Sequence, residues 1–301
     1  MSDRRSFPLA CILAVLMSCH FLAGAADEPL VVAATIFPVA DIARHVAGPA
    51  VRVIQVLPAG ASPHTFDLTP GKVRQLQPAR LIFKIGGVDD WIDGVGDSLP
   101  HAAIVALHKD IVRLPFHDDG HGHDHGASPS DEGFDPHYWL SAANGAIMAR
   151  TIAGALSAAD PAHAAFYEQN CREYARELVA LHAEIGKTLS TLKNRKMLVF
   201  HDGWRYFAAA YGLEIAAVFQ ASPGREPSSR DIRELYGRVK RLGLKTVFSE
   251  PQLPAASLEP LLRDLGLSLV VLDPLGGAAP RDSYAGLLQR NARRILQALG
   301  R

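Results

Sequence analysis

Cysteine is nearly absent from this chain. Its 301 residues include three, and two of them, Cys11 and Cys19, fall in an apolar N-terminal leader. Once that leader is removed only Cys171 remains, so the mature chain forms no internal disulfide. A zinc site built from several thiolates is excluded for the same reason. Any metal must be held by His, Asp or Glu. An excess of one charge is missing too: 31 Lys and Arg balance 31 Asp and Glu. That balance offers no basic face to a nucleic acid, so none is expected as a partner. Beyond the leader no apolar run is long enough for a transmembrane helix. The leader has a basic start (Arg4, Arg5), a short apolar core from Leu9 to Met17 and small residues at Ala23-Gly24-Ala25. It reads as a signal peptide over residues 1–26, which makes the mature chain an exported, soluble, periplasmic protein. Lipid anchoring at Cys19 is the rival reading, and Met17 fits it poorly.

What the chain does have is apolar content, 48% of its residues, and a regular alternation of strand-like and helix-like runs. That rhythm predicts an α/β fold with parallel-rich sheets flanked by helices. Strands are expected at Leu30 to Ala34, Val51 to Leu57, Leu81 to Ile85 and Ile104 to Leu107. The second half repeats the pattern at Met197 to Phe200, Glu214 to Phe219, Thr246 to Ser249 and Leu267 to Leu272. Between the halves, Tyr167, Cys171, Tyr174, Leu178, Leu181, Ile185, Leu189 and Leu192 recur at gaps of mostly four and three, one apolar stripe on one helix. From Pro161 to Leu192 that helix would be about 48 Å long at 1.5 Å per residue, long enough to connect two lobes. The expected division is an N-terminal lobe over 27–158, a connecting helix over 159–193 and a C-terminal lobe over 194–301. An ordinary long helix inside one domain is the competing reading.

The chemistry lies in histidine, the commonest metal ligand. A run rich in His, Gly and Asp, with His117, His121, His123 and His125, sits in a loop over 116–133. It is expected to bind metal weakly as a secondary site; the plainer alternative is a solvated tether. Five other positions are better placed. In open α/β sheets ligands bind beyond the carboxyl ends of strands, and His201, Glu250 and Asp273 each follow such a strand in the second half. In the first half, His64 lies in the loop after Val51 to Leu57, and His137 lies between proline and aromatics in Phe134-Asp135-Pro136-His137-Tyr138-Trp139-Leu140. Each has a plain reading as well. His64 can bond to loop backbone, His137 can cap a helix, and His201-Asp202-Gly203 can be a turn. Asp273-Pro274 and Glu250-Pro251 are common turn openers. His45, His101, His108, His163 and His182 are assigned to the surface or to ordinary packing.

Four motifs, in order, carry a resemblance. They are Leu57-Pro58-Ala59-Gly60-Ala61-Ser62-Pro63-His64-Thr65-Phe66, Asp135-Pro136-His137-Tyr138-Trp139-Leu140, Val199-Phe200-His201-Asp202-Gly203-Trp204-Arg205-Tyr206-Phe207 and Leu272-Asp273-Pro274-Leu275-Gly276. Nearly the whole mature chain resembles the metal-specific substrate-binding proteins of ABC importers, in their zinc-uptake, ZnuA-type branch. The resemblance implies two lobes joined by one long rigid helix, with Zn2+ carried in the interlobe cleft. It implies His64, His137 and His201 as ligands, with Asp273 or water completing the shell. The partner it implies is a membrane permease with its cytoplasmic ATPase, with periplasmic metallochaperones as a further class, and the chain is expected to be a monomer. Two departures stand out: Pro63 replaces a Glu found in some relatives, and the disulfide of some zinc members cannot form. Chemistry agrees on the metal. Three imidazoles and at most one carboxylate suit tetrahedral zinc, whereas manganese takes more oxygen ligands; copper and nickel stay chemically open. The rival function is a zinc hydrolase with an open fourth position and Glu250 as base, against which no His-Glu-x-x-His helix occurs. A metal-dependent adhesin or chaperone is a third class that no motif favours.

Overall fold

The computed structural model describes residues 29–115, 133–220, 228–253, 256, 259–279 and 282–300. The expected signal peptide over 1–26 and the loop histidines His117, His121, His123 and His125 lie outside them.

Two four-stranded parallel sheets organise the chain. The first holds β1 (Val31–Ala34), β2 (Arg52–Gln55), β3 (Leu81–Lys84) and β4 (Ala103–Ala106) in the order β2-β1-β3-β4. The second holds β5 (Lys196–His201), β6 (Glu214–Gln220), β7 (Thr246–Ser249) and β8 (Ser268–Val271) in the order β6-β5-β7-β8. The permutation is the same in both. Sequence patterns show only a shared rhythm here; strand order is a tertiary fact. Burial explains which strands lie inside. In β1 and β7 every residue is buried, as a parallel strand covered on both faces requires, while β2 and β8 each have exposed residues and form edges. Strand order reverses beside β1 in one sheet and beside β5 in the other. Ligands of open α/β sheets bind at such switch points.

Among the described residues, eight α-helices complete the fold: α1 (Phe37–Ala47), α2 (Pro70–Leu76), α3 (Ala142–Ala159), α4 (Ala164–Ser190), α5 (Arg205–Tyr211), α6 (Ser229–Leu242), α7 (Glu259–Leu265) and α8 (Tyr284–Leu299). The connecting helix is α4. It spans 27 residues, about 40 Å at 1.5 Å per residue, and a 3-10 turn at Pro161–His163 leads into it. Asp160 fixes that start, accepting from His163 Nδ1 at 2.8 Å and from the Tyr167 hydroxyl at 2.6 Å. The expected stripe is the buried face: Tyr167, Cys171, Tyr174, Leu178, Leu181, Ile185 and Leu189. That face packs on α1, α3 and α8. The helix therefore does not cross open solvent. One apolar core runs from Val32 in β1 through the α4 stripe to Phe248 in β7 and Leu272 beyond β8. Among the described residues no helix is long and apolar enough to cross a membrane.

Hydrogen bonds also tie the lobes together. Tyr284, at the start of α8, donates its hydroxyl to the carbonyls of Trp139 at 2.5 Å and Ser141 at 3.1 Å. Its backbone N–H donates to the buried Asp41 carboxylate at 2.8 Å. Trp139 Nε1 donates to the Pro274 carbonyl at 2.8 Å. From α5, the Tyr206 and Tyr211 hydroxyls accept the N–H groups of Leu114 and Ala142. Gly145 of α3 permits the approach, since a Cβ there would lie 2.6 Å from the Tyr284 ring.

Candidate metal centre

Each candidate histidine is placed by a different local device. His64 sits in a 3-10 turn, Pro63–Thr65. Trp91 pins that turn, donating Nε1 to the Pro63 carbonyl at 3.1 Å while its ring meets Phe66 edge-on. His137 precedes another 3-10 turn, Tyr138–Leu140. The buried Asp135 accepts with one oxygen from both the backbone N–H and Nδ1 of His137, at 2.8 and 2.7 Å. His201 is the last residue of β5, at the switch point of the second sheet. Its Nδ1 lies 3.2 Å from Glu250 Oε1, the residue after β7, and the same oxygen accepts from Trp204 Nε1 at 3.0 Å.

These bonds fix the tautomers. A carboxylate beside Nδ1 holds the proton there, which leaves Nε2 with its lone pair for a metal and stiffens the ring. With Nδ1 engaged, Nε2 is the nitrogen that each of these two rings has left to offer. The nitrogens of His64, His137 and His201 available as ligands all lie within 4.8 Å of one another. His64 Nε2 and His137 Nε2 are 3.3 Å apart. Two nitrogens each about 2.0–2.1 Å from a tetrahedral zinc are separated by about 3.3 Å, so this edge of the triangle already has the right length. Beneath the rings lies Gly203. A Cβ there would sit 2.8 Å from His201 Cε1 and 3.2 Å from His137 Cδ2, so a side chain would push the imidazoles apart.

Electrostatics divide the three rings. Burial, then the neighbouring His201, pushes the His137 pKa down. His64 keeps an exposed edge, yet desolvation of its ring, with His201 and His137 adding repulsion, drives its pKa well below the ordinary value. Burial also disfavours charge on His201, but the Glu250 charge and hydrogen bond, with Asp202 and Asp135 behind, raise its pKa above the ordinary 6.5. Burial raises the Asp135 pKa. Two rings are thus held neutral and ready to ligate, while Glu250 favours the protonated form of the third, against which a metal competes. Ser62, Pro63, Trp139, Gln252, Leu253, Pro274 and Leu275 line the walls beside Glu250. The cavity measures about 20 Å³, room for an ion or a water but little more.

Asp273 does not join this group. Its Oδ1 accepts the N–H groups of Leu275 at 3.0 Å and Gly276 at 2.9 Å, and Asn291 holds its backbone. The reason is topological: β8 is an edge strand, one strand removed from the switch point. Glu250, following β7 beside β5, reaches the site instead, as the orienter of His201. Sequence reasoning also passed over Asp135, Gly203 and Trp204 as working parts. For Asp135 a signal existed, a carboxylate two residues before a candidate ligand; for Gly203 and Trp204 only the folded packing shows the need. The other described histidines have contacts away from this group. His45 stacks on Tyr174, His182 lies against Tyr211, and His101 and His108 bond to backbone carbonyls.

Comparison with known proteins gives a consistent picture. The family model described as zinc-uptake complex component A, periplasmic, matches residues 32–298. The high-affinity zinc uptake system protein ZnuA of Brucella suis biovar 1 is 30% identical over 282 residues, covering 82% of this chain and 84% of that protein. The zinc-binding lipoprotein AdcA of Streptococcus pneumoniae serotype 4 is 28% identical, covering 90% of this chain and 56% of that longer protein. Among solved structures, a crystal structure of ZnuA superposes with a TM-score of 0.79 at 27% identity, covering 90% of this chain and all of that one. A manganese-bound periplasmic metal-binding protein from Candidatus Liberibacter asiaticus superposes with a TM-score of 0.77 at 22% identity, covering 90% of this chain and 99% of that one. The last likeness concerns the fold alone.

Proposed function

The chain belongs to the family of periplasmic zinc-uptake components, and from that premise we propose that it captures Zn2+ with His64, His137 and His201 in the interlobe cleft and hands it to the membrane permease of an ABC importer. The family is one of solute-binding proteins whose cargo is zinc, not one of enzymes. One observation carries the site: three imidazole nitrogens from distant parts of the chain lie within 4.8 Å of one another. Two of those rings are oriented by buried carboxylates. Three nitrogens and no protein carboxylate in the inner shell suit zinc better than manganese. The carboxylates stand one layer out, where they raise the basicity of the ligands without adding oxygens to the shell. Against the hydrolase reading, Glu250 Oε1 is engaged by His201 and Trp204, which suits an orienting role better than that of a base.

The test is competition of the full chain with a fluorescent zinc chelator. One tight site per chain is expected. Replacing His64, His137 or His201 by Ala should weaken it by more than about 100-fold, beyond the 10–100-fold loss typical of outer partners. Delivery is tested in cells whose zinc import depends on this chain: the His variants should not support growth at limiting zinc. Tight stoichiometric binding by any of the three variants would refute the site assignment.

A further inference from the structure

A tetrahedral zinc held by three imidazoles needs one more ligand. Among the described residues no carboxylate joins the three nitrogens in their cluster. Glu250 Oε1 is bonded to His201 and Trp204, and Asp273 Oδ1 closes its own turn. One polar side chain lining the cavity is placed differently. Gln252, two residues after Glu250, faces the same cavity as the three histidines, and its Oε1 is buried with no hydrogen-bond partner among the described residues. A buried carbonyl without a partner is costly, and in a native structure it points to a missing donor.

The geometry points to Gln252 as a specificity-determining residue: its side-chain carbonyl accepts a hydrogen bond from the water that serves as the fourth ligand of the cargo ion. The inference rests on the zinc-carrier reading and deepens it. A water on zinc has committed a lone pair to the metal, and its protons are made more acidic. It therefore presents itself as a donor and seeks an acceptor, which an amide oxygen supplies. The neutrality of that acceptor matters. A carboxylate at this position would be drawn onto the ion and would add oxygen ligands, the environment that suits manganese. An amide one layer out keeps the inner shell at three nitrogens and one water. It also leaves one ligand that an incoming donor can displace without breaking any bond between protein and metal, as release to a receiver requires.

The test uses the full chain loaded with Zn2+, Co2+ or Mn2+ alone, with Co2+ as the reporter of coordination. Gln252→Leu should weaken zinc about 10-fold, the lower end of the loss for an outer partner, and should shift the visible cobalt bands. Gln252→Glu, nearly isosteric and so the safer variant for folding, should narrow the zinc-over-manganese preference at least 10-fold. It should also slow zinc transfer to a chelator. Wild-type zinc affinity and an unchanged cobalt spectrum in Gln252→Leu would overturn the inference, as would an unchanged metal preference in Gln252→Glu. His201→Ala separates the two claims. If that variant loses zinc while the Gln252 variants behave as wild type, the carrier reading stands and only the role of Gln252 falls.

Discussion

A proton and a zinc ion compete for the same nitrogens, and the residues around them decide how steeply. For His64 and His137 burial has already removed the proton, because their pKa values lie below the ordinary 6.5. For His201 the Glu250 carboxylate raises the pKa, so this ring stays protonated to a higher pH. Zinc needs all three neutral. The sign follows: affinity is full above the His201 pKa and falls as pH drops through it, with about one proton displaced per ion. Three ordinary histidines would displace up to three. Chelator competition between about pH 5 and 8 should give about one decade of affinity per pH unit below the His201 transition; a slope near three would show that burial does not hold His64 and His137 neutral. The three histidines proposed as ligands were legible because each stands in a motif after a strand or beside proline. Their orienters were harder to see. Glu250 lies 49 residues from His201, and no local pattern announces that pairing. Asp273 is the contrasting case. It obeys the strand-end rule, yet in Asp273-Pro274-Leu275-Gly276 the nearby backbone N–H groups claim its carboxylate first.

At the scale of elements, two short turns and one hydroxyl position more of the site than any regular helix does. The strands fall on the runs that the sequence pattern indicated, with β4, β5 and β6 reaching one residue beyond them, and α4 falls inside the expected connecting helix. The 3-10 turns Pro63–Thr65 and Tyr138–Leu140 have too few residues to show a period, and they carry or adjoin His64 and His137. Tyr284 holds the second turn in place. Its hydroxyl, at the start of α8, bonds to the carbonyls of Trp139 and Ser141, which flank Leu140. Tyr284→Phe keeps the ring against Gly145 but removes the donor, leaving the buried Trp139 carbonyl short of a partner. The expected loss is about 1–3 kcal/mol of stability, the usual cost of an unsatisfied buried group. It should appear as a lower urea midpoint with an unchanged m-value. A wild-type midpoint would mean that apolar packing of the ring alone secures the turn.

For the molecule as a whole, the question is how far the lobes can part to admit and release an ion. Wide opening would have to break the bonds that cross between them: Trp139 to Pro274, Tyr284 to Trp139, Ser141 and Asp41, Tyr206 to Leu114 and Tyr211 to Ala142. It would also split a core that runs without interruption from Val32 through the α4 stripe to Phe248 and Leu272. Water would replace each of these bonds on opening, at a net cost of about 0.5–1.5 kcal/mol apiece, but the shared apolar core would be exposed as well, and a ligand shifts an equilibrium only by its differential affinity for the two states. Small rearrangement at the cleft mouth admits and releases an ion without that cost, so zinc should enter and leave that way. His64 is the part suited to that motion. It alone of the three rings belongs to an exposed residue, and its short turn is tied mainly by Trp91, through the bond at Pro63 and the ring contact with Phe66. Solution scattering of the zinc-free and zinc-loaded chain should therefore give the same radius of gyration within error, while hydrogen exchange around Pro63–Thr65 slows on loading. A clear contraction on adding zinc would show instead that α4 permits hinge closure and that the bonds across the lobes form only with the ion in place.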